Sequence, residues 1–374
     1  MDRKPKIVQA VHAFPPQIGG IETHVESISI AMAKQGADVV VHTAACTGSR
    51  SHDEKLAKVG VRVKRHFSVK LPFFSSVVII PGMALHLLLE GGDAYFSHGF
   101  GSIVPFCASI AAKLRGKQFF WTIHGMPKFS GAKQAFVYAY SAVFGFVPML
   151  LSDKIVCVSR AVVDALPKYA SRKKVRIIPN GVREEFLAEG KKPRRARKKF
   201  TVLYAGRLDR SKGVWMLLDA FEEFHSRHKE SELMYVGPDE GEGEGLKAEA
   251  AKRGLPVKFL KAALKDMPGI YSSASLTVLP SEYEGFGLSV FESWACGTPA
   301  ISTRVGASPE FFESAFGKEA GSFLFNGKDS LVSRMDAVYS ANDAKKNIWA
   351  GKARSALAGY SWSVVAKKSL LLLQ

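Results

Sequence analysis

The chain has 374 residues, 47% hydrophobic and 23% charged, which gives room for two domains with separate cores and excludes a disordered or fibrous chain. The formal charge of +18 is uneven: residues 1–187 hold 24 Lys and Arg against 12 Asp and Glu, residues 188–199 seven against one, and residues 200–374 21 of each. Such a basic first half suits anionic small molecules, lipid headgroups or nucleic acid, and charge by itself does not choose among them.

No apolar run follows the opening Met-Asp-Arg-Lys-Pro-Lys, so the sequence predicts no secretory signal and a cytoplasmic place of action. Lys6 to Val11 reads as a short buried strand, and a helix is predicted from Val25 to Lys34. Between them stand Gly19 and Gly20, a pair that lets the backbone approach a phosphate, although by itself a tight turn is the commoner explanation of such a pair. A second strand over 36–43 sets up the strand–helix alternation of a parallel, doubly wound α/β sheet. Further strands are predicted at Ala94 to Ser97, Gln118 to Ile123, Lys154 to Val158 and Val175 to Ile178, each followed by polar or glycine residues where such sheets bind ligands. His98 and His124 stand at two of these ends, and a lone histidine there reads first as a hydrogen-bonded structural residue.

Three uncharged runs, 71–89, 94–112 and 134–152, approach the length of a membrane span. Pro72, Pro81 and Gly82 break the first, Gly99 and Gly101 the second, and Gly145 and Pro148 the third, so buried helices are the expectation. Basic residues precede two of them: Arg62, Lys64, Arg65 and Lys70 before Leu71-Pro-Phe-Phe74, and Lys128 and Lys133 before the aromatic stretch 136–144. That pairing also suits an anionic membrane surface. Cys46, Cys107, Cys157 and Cys296 stand far apart without a Cys-x-x-Cys pair, which argues against a cysteine zinc site and for reduced thiols.

The basic run 188–199 cannot form a core and is expected to be an exposed linker between a first domain, 1–187, and a second, 200–360. Phe200 to Gly206 restarts the strand–helix rhythm. Arg207 follows at the strand end, and Lys212-Gly213 opens a helix through Phe224, so two cations sit where a diphosphate could be held. Strands at Glu232 to Gly237 and Val257 to Leu260 come next. Then Ser275 to Leu279 reads as a strand, Pro280 to Gly287 as a loop, and Leu288 to Cys296 as a helix ended by Gly297. Backbone N–H groups near Gly287 and Leu288 would face an anion. Glu284 and Glu292 flank that loop, and a carboxylate can accept two hydroxyl hydrogens from the vicinal diol of a sugar.

The run Pro-Ser-x-x-Glu-Gly-Phe-Gly, the Glu-x7-Glu spacing and the following Cys-Gly-Thr-Pro closely resemble the retaining glycosyltransferases of family 4, whose fold is GT-B. Gly-Arg-Leu with Lys-Gly at 206–213, the Gly19-Gly20 loop and Pro-Asn-Gly-Val at 179–182 resemble the family in the same order; the family usually continues that last motif with Asp, and this chain has Arg183. The resemblance implies two Rossmann-like domains with a cleft between them that closes on substrate, acceptor bound by the first and nucleotide-sugar by the second, and a C-terminal helix near 361–374 packing back on the first. It implies that Glu284, His124, Arg207 and Lys212 act at the reacting sugar and diphosphate. Gly19, Gly20, Gly206, Phe286, Gly287, Leu288 and Glu292 would bind the donor, with Glu292 on the ribose.

The expected reaction is sugar transfer with retention, with no metal and no cofactor beyond a UDP- or GDP-linked sugar as co-substrate. The acceptor would be lipid-linked, or a polysaccharide or glycolipid precursor, met at the cytoplasmic membrane face. Two other readings stand beside it: an epimerase or phosphorylase of the same fold, and a basic nucleic-acid-binding protein. The second lacks any recognised nucleic-acid module, and no specific nucleic-acid partner is expected.

Overall fold

The computed structural model describes residues 4–17, 19–71, 74–100, 102–126, 144–192 and 198–374. Lys128 and Lys133, the aromatic stretch up to residue 143 and 193–197 of the basic run therefore lie outside the described residues. The chain divides into two units, Met1–Gly181 with Trp362–Gln374, and Val182–Ser361.

In the first unit the strands are β1 (Lys6–Ala10), β2 (Asp38–Ala44), β3 (Val61–His66), a hairpin of β4 (Val69–Leu71) and β5 (Phe74–Ile79), then β6 (Ala94–His98), β7 (Gln118–Ile123), β8 (Lys154–Cys157) and β9 (Val175–Ile177). Seven of them form a parallel sheet in the order β3-β2-β1-β6-β7-β8-β9, with Ile7 beside both Val39 and Ala94. Near-continuous apolar runs explain the arrangement, since strands covered on both faces by helices need no polar face. Val8, Val40, Phe96, Phe120 and Trp121 are accordingly buried. The sheet order reverses direction between β1 and β6, so the crevice beyond their carboxyl ends is this unit's natural ligand position.

The helix Gly20–Lys34 begins five residues earlier than the apolar periodicity indicates. It packs against the C-terminal helix Trp362–Leu370, where Gln35 donates a 2.8 Å hydrogen bond to the Ser363 carbonyl. A side chain at Gly181 would run into the Trp362 indole, so the glycine of the Asn180-Gly181 pair admits that helix.

Two of the uncharged runs are not single helices, and residues 134–143 of the third lie outside the described residues. Run 71–89 is divided into β5 and the helix Met83–Glu90, which starts at a left-handed Gly82 with φ of 75°, and run 94–112 into β6 and the helix Val104–Leu114. Arg62, Lys64 and Arg65 lie on or beside β3, an edge strand that was not foreseen because its alternating charges hide the apolar face. Each pairs with a carboxylate, Arg62 with Asp38 at 2.9 Å, Lys64 with Glu90 at 2.5 Å and Arg65 with Asp53 at 2.8 Å. Among the described residues no helix is long and apolar enough to cross a membrane.

The second unit holds β10 (Phe200–Ala205), β11 (Ser231–Val236), β12 (Val257–Leu260), β13 (Leu276–Leu279), β14 (Ala300–Thr303) and β15 (Leu324–Phe325) in a parallel sheet of order β12-β11-β10-β13-β14-β15. Here the reversal falls between β10 and β13. The division of the chain lies ahead of the basic run because the helix Glu184–Glu189 belongs to this unit. Its Phe186 is fully buried beside Tyr271, and a side chain at Gly190 would run into the Ala295 carbonyl.

Candidate active site

The loops after β10 and β13 meet at the reversal point of the second sheet. They are zipped together by short-range contacts: the Glu282 amide donates to the Ser211 carbonyl at 3.0 Å, and Gly213, left-handed with φ of 67°, lies so close to the Pro280 carbonyl that any side chain there would collide. Asp209 caps the turn Arg210–Lys212 by accepting from the Ser211 amide at 2.8 Å. A third loop braces the pair from the side of β14. Ala307 donates to the Phe286 carbonyl at 2.9 Å, and Gly306, with φ of 57°, leaves no room for a side chain against Phe286.

Lys212 Nζ donates to Glu284 Oε1 at 2.8 Å, and Ser281 Oγ donates to the same oxygen at 2.8 Å. The cation and one of the two carboxylates singled out in the sequence therefore form one part-buried ion pair rather than two separate groups. Arg207, half exposed, pairs with Glu240 at 2.9 Å. Gly287 is left-handed, with φ of 89°, and caps the helix Leu288–Ala295, which no side chain caps. Its first N–H groups are thus oriented as an anion site requires.

Two of the expected donor contacts are placed differently. The Phe286 ring is 4% exposed and stacked on Phe291 at 4.3 Å, so burial of its apolar surface has taken the side chain into the core and leaves only backbone toward the loops. Gly206 spends its amide on the Val236 carbonyl at 2.9 Å, and its own carbonyl abuts Gly237, which makes it a point of close packing.

Glu292 lies one turn into the helix and accepts from Tyr271 Oη at 2.9 Å. Burial pushes its carboxyl up to about 6, against the lowering effects of that hydrogen bond and of the Arg183 charge. Arg183, the residue that departs from the family pattern, thus bears directly on Glu292.

In the first unit the reversal point carries a different chemistry. Gly19 and Gly20 begin the helix Gly20–Lys34, but a side chain at Gly19 would collide with the Glu22 carboxylate, which folds over that end of the helix. Burial raises the Glu22 pKa. An anion approaching these amides has to displace Glu22.

His124 lies just beyond β7 and faces His98, with Nε2 3.4 Å from His98 Nδ1. The His24 ring sits 4.4 Å from His124 and 5.2 Å from His98, centroid to centroid. Burial lowers all three pKa values, His24 to about 4 and the other two well below the usual range, so all three rings are neutral near pH 7. His24, Asn180 and Glu22 were not singled out in the sequence. His24 could have been: it falls four residues after Gly20, on the buried face of the helix.

The profile described as "Glycosyltransferase Family 4" matches residues 18–186, and that described as "Glycosyl transferases group 1" matches residues 186–355. The chain belongs to the group 1 glycosyltransferases of the family 4 type. This glycosyltransferase is 28% identical over 341 residues to a D-inositol 3-phosphate glycosyltransferase of Acidothermus cellulolyticus, covering 79% of this chain and 74% of the relative. A protein of the same description from Corynebacterium jeikeium is 35% identical over 115 residues, a match spanning 28% of this chain and only 27% of that relative's length. Among solved structures, the Anabaena protein Alr3699/HepE in complex with UDP superposes with a TM-score of 0.76 over 98% of both chains at 17% identity, which shows a shared GT-B fold.

Proposed function

We propose that this glycosyltransferase moves a hexosyl group from a nucleoside diphosphate sugar to an acceptor hydroxyl with retention at the anomeric carbon, and that no metal serves the diphosphate. The observation that carries the reading is the uncapped helix Leu288–Ala295 standing beside Lys212 and Glu284 in loops locked together at the sheet reversal. In this reading Lys212, Arg207 and the amides at Gly287 and Leu288 stabilise the departing diphosphate, the place a metal takes in other transferases. Within the first unit, Gly19 and Gly20 offer amides to an anionic group of the donor once Glu22 has moved. Glu292 holds the ribose diol, and Glu284 holds a hydroxyl of the transferred sugar. The bond from the anomeric carbon to the diphosphate oxygen breaks, the acceptor oxygen bonds to that carbon on the same face, and the acceptor proton passes to the leaving phosphate oxygen.

The Lys212–Glu284 pair gives a sharp test. Glu284→Ala removes the sugar contact but frees Lys212, so transfer should fall by at least about a hundredfold while nucleoside diphosphate binding is kept or tightened. Retained transfer would overturn the assignment.

A lipid-linked acceptor met at an anionic membrane surface is supported by the first unit. Phe146 and Leu150 are 46% and 61% exposed, Tyr169 and Ile177 48% and 44%, and the Phe146 and Tyr169 rings lie 5.5 Å apart. Arg172, Lys173, Lys174 and Arg176 border them, with Lys174 hydrogen-bonded to the Leu150 carbonyl at 2.8 Å. Exposed apolar groups beside cations suit an anionic bilayer. The deciding experiment follows nucleotide release from a panel of UDP- and GDP-sugars with and without membrane lipid extract. Release with one donor only when lipid is present is the expected result; a sugar product formed without any acceptor would favour an epimerase or phosphorylase.

A further inference from the structure

Residues 200–374 carry 21 bases and 21 acids, so cations gathered in one place there stand out from a neutral background. They gather around a cavity of about 840 Å³ that lies wholly within the second unit. Lys191, Lys192, Lys198 and Lys199 reach it from the basic run, and Lys346 and Arg354 from the helix Asp343–Leu357. Two carboxylates, Glu230 and Asp343, also line it, which leaves an excess of four positive charges on one concave surface.

The walls are held in place by contacts of their own. Gly190 is packed against the Ala295 carbonyl, and its own carbonyl accepts from Arg354 at 2.7 Å. Lys192 pairs with Glu189 at 2.6 Å, and Glu189 accepts in turn from Ser272 Oγ at 2.8 Å. Lys346 Nζ stands 6.0 Å from the centroid of the Phe200 ring, which packs on Tyr339 at 5.1 Å. Lys191, Lys198 and Lys199 make no ion pair among the described residues. The carboxyl end of the helix Leu288–Ala295 does not account for them: one cation serves a helix dipole, and the Glu292 and Trp294 carbonyls there already accept from the Cys296 and Gly297 amides at 3.0 Å. Six cations around one cavity repel one another, and an anion inside it turns that repulsion into attraction.

We propose that this cavity binds an anion carrying two or more phosphate groups, at a site separate from that of the donor diphosphate. Each phosphate brings about −1.5 to −2 charges at pH 7, so more than one is needed to match the excess. Five of the six cations are lysines, point charges that select charge density, whereas a carboxylate ligand favours the planar fork of arginine. Phe200 opens β10, and Glu230 and Ser275 immediately precede β11 and β13, so the cavity lies at the amino ends of the strands. Arg207, Lys212 and Gly287 follow the carboxyl ends, and the six residues of β10 put roughly 20 Å between the two places. A free polyphosphate anion and a lipid headgroup with several phosphates present the same chemistry.

The test uses the full chain with neither donor nor acceptor, so its failure is distinct from failure of the transferase reading. Lysine acetylation is mapped by mass spectrometry in tripolyphosphate and in orthophosphate at matched ionic strength. Tripolyphosphate should protect Lys191, Lys198, Lys199 and Lys346, and orthophosphate should not. Protection of Lys212 reports the donor site, and Arg207→Ala with Lys212→Ala should leave that of the cavity intact. In this double variant, where calorimetry reads the cavity alone, adding Lys198→Glu with Lys199→Glu should weaken tripolyphosphate binding at least about tenfold. Lys247→Glu, on the helix Gly243–Lys252 and outside the cavity, should leave it unchanged. Flotation with phosphatidylcholine vesicles carrying phosphatidylinositol bisphosphate, or phosphatidylserine at equal charge, separates the two sources. A preference for the bisphosphate that Lys198→Glu with Lys199→Glu abolishes identifies the headgroup; tripolyphosphate binding without that preference identifies the free anion. Overturning results are cavity lysines left unprotected, all exposed lysines protected alike, or binding unmoved by Lys198→Glu with Lys199→Glu.

Discussion

The two units repeat one architecture, a parallel sheet whose strand order reverses beside the first strand of each, and place opposite chemistries at the reversal. In the first unit the crevice is lined by three neutral imidazoles, of which His24 and His98 are buried and held from behind by amide oxygens. In the second it is lined by part-exposed ion pairs, Lys212–Glu284 and Arg207–Glu240, beside an uncapped helix. The contrast separates what the fold provides, an open crevice at the strand ends, from what side chains add. Charged, hydrated pairs exchange partners cheaply and suit a site that takes up and releases a diphosphate.

The largest break in that contrast comes from Lys212. It is the more buried of the two cations and is aligned by the Tyr283 carbonyl as well as by Glu284. Lys212→Ala should lower kcat/KM about 10²- to 10³-fold, measured against the preferred donor. Next is the hinge between the loops. Gly213→Ala forces a side chain into left-handed backbone and into the Pro280 carbonyl, and should cost roughly 2–4 kcal/mol of the second unit's stability. Gly116→Ala, at φ of 64° in the first unit with open space around it, should cost only about 1–2 kcal/mol, so paired denaturant titrations separate strain from collision.

Much of this architecture was legible in the sequence. The alternation of apolar strands and amphipathic helices gave most strands of both sheets, and Leu276–Leu279 with Leu288–Ala295 differ from expectation by a residue at one end. What escaped was held by contacts distant in sequence. The edge strand Val61–His66 carries charges that mimic a surface loop until Asp38, Asp53 and Glu90 are seen to pair with them. The pairing of Lys212 with Glu284 spans 72 residues, and that of His24 with Asn180 spans 156, so no local pattern shows either. Phe286 shows a different limit: a motif residue does not reveal whether its backbone or its ring faces the loops, and here the ring is buried.

Glu292 carries a pH signature opposite in sign to that of the histidine trio, whose lowered pKa values cost stability as pH falls below about 6.5. Its carboxyl is raised from 4.5 to about 6 chiefly by burial, so it contributes stability that is present below pH 4.5 and lost as pH rises through about 6. Donor binding runs the other way, because the ionised form accepts the ribose hydroxyls, and should strengthen as pH rises through the same window. Glu292→Gln should therefore stabilise the second unit at pH 8 by on the order of 1–2 kcal/mol while weakening donor binding and flattening its pH dependence. Thermal melts and donor titrations at pH 5 and pH 8 check both signs.

The smallest effect belongs to Arg207, and it sharpens the comparison most. The side chain is half exposed and its partner Glu240 is 44% exposed, so water screens the pair and little stability rests on it. Arg207→Ala should leave the melting temperature unchanged and reduce kcat/KM about tenfold, less than Lys212→Ala because a hydrated cation gives up more solvation when it meets a phosphate. Glu240→Gln separates the two roles of the pair. If Glu240 only competes with the diphosphate for Arg207, its removal tightens donor binding by a few-fold; if Glu240 aims Arg207, binding weakens. Tighter binding is expected, since the Tyr204 hydroxyl already fixes the Arg207 backbone by donating to its carbonyl at 2.6 Å, and the guanidinium needs no second anchor to reach an incoming phosphate.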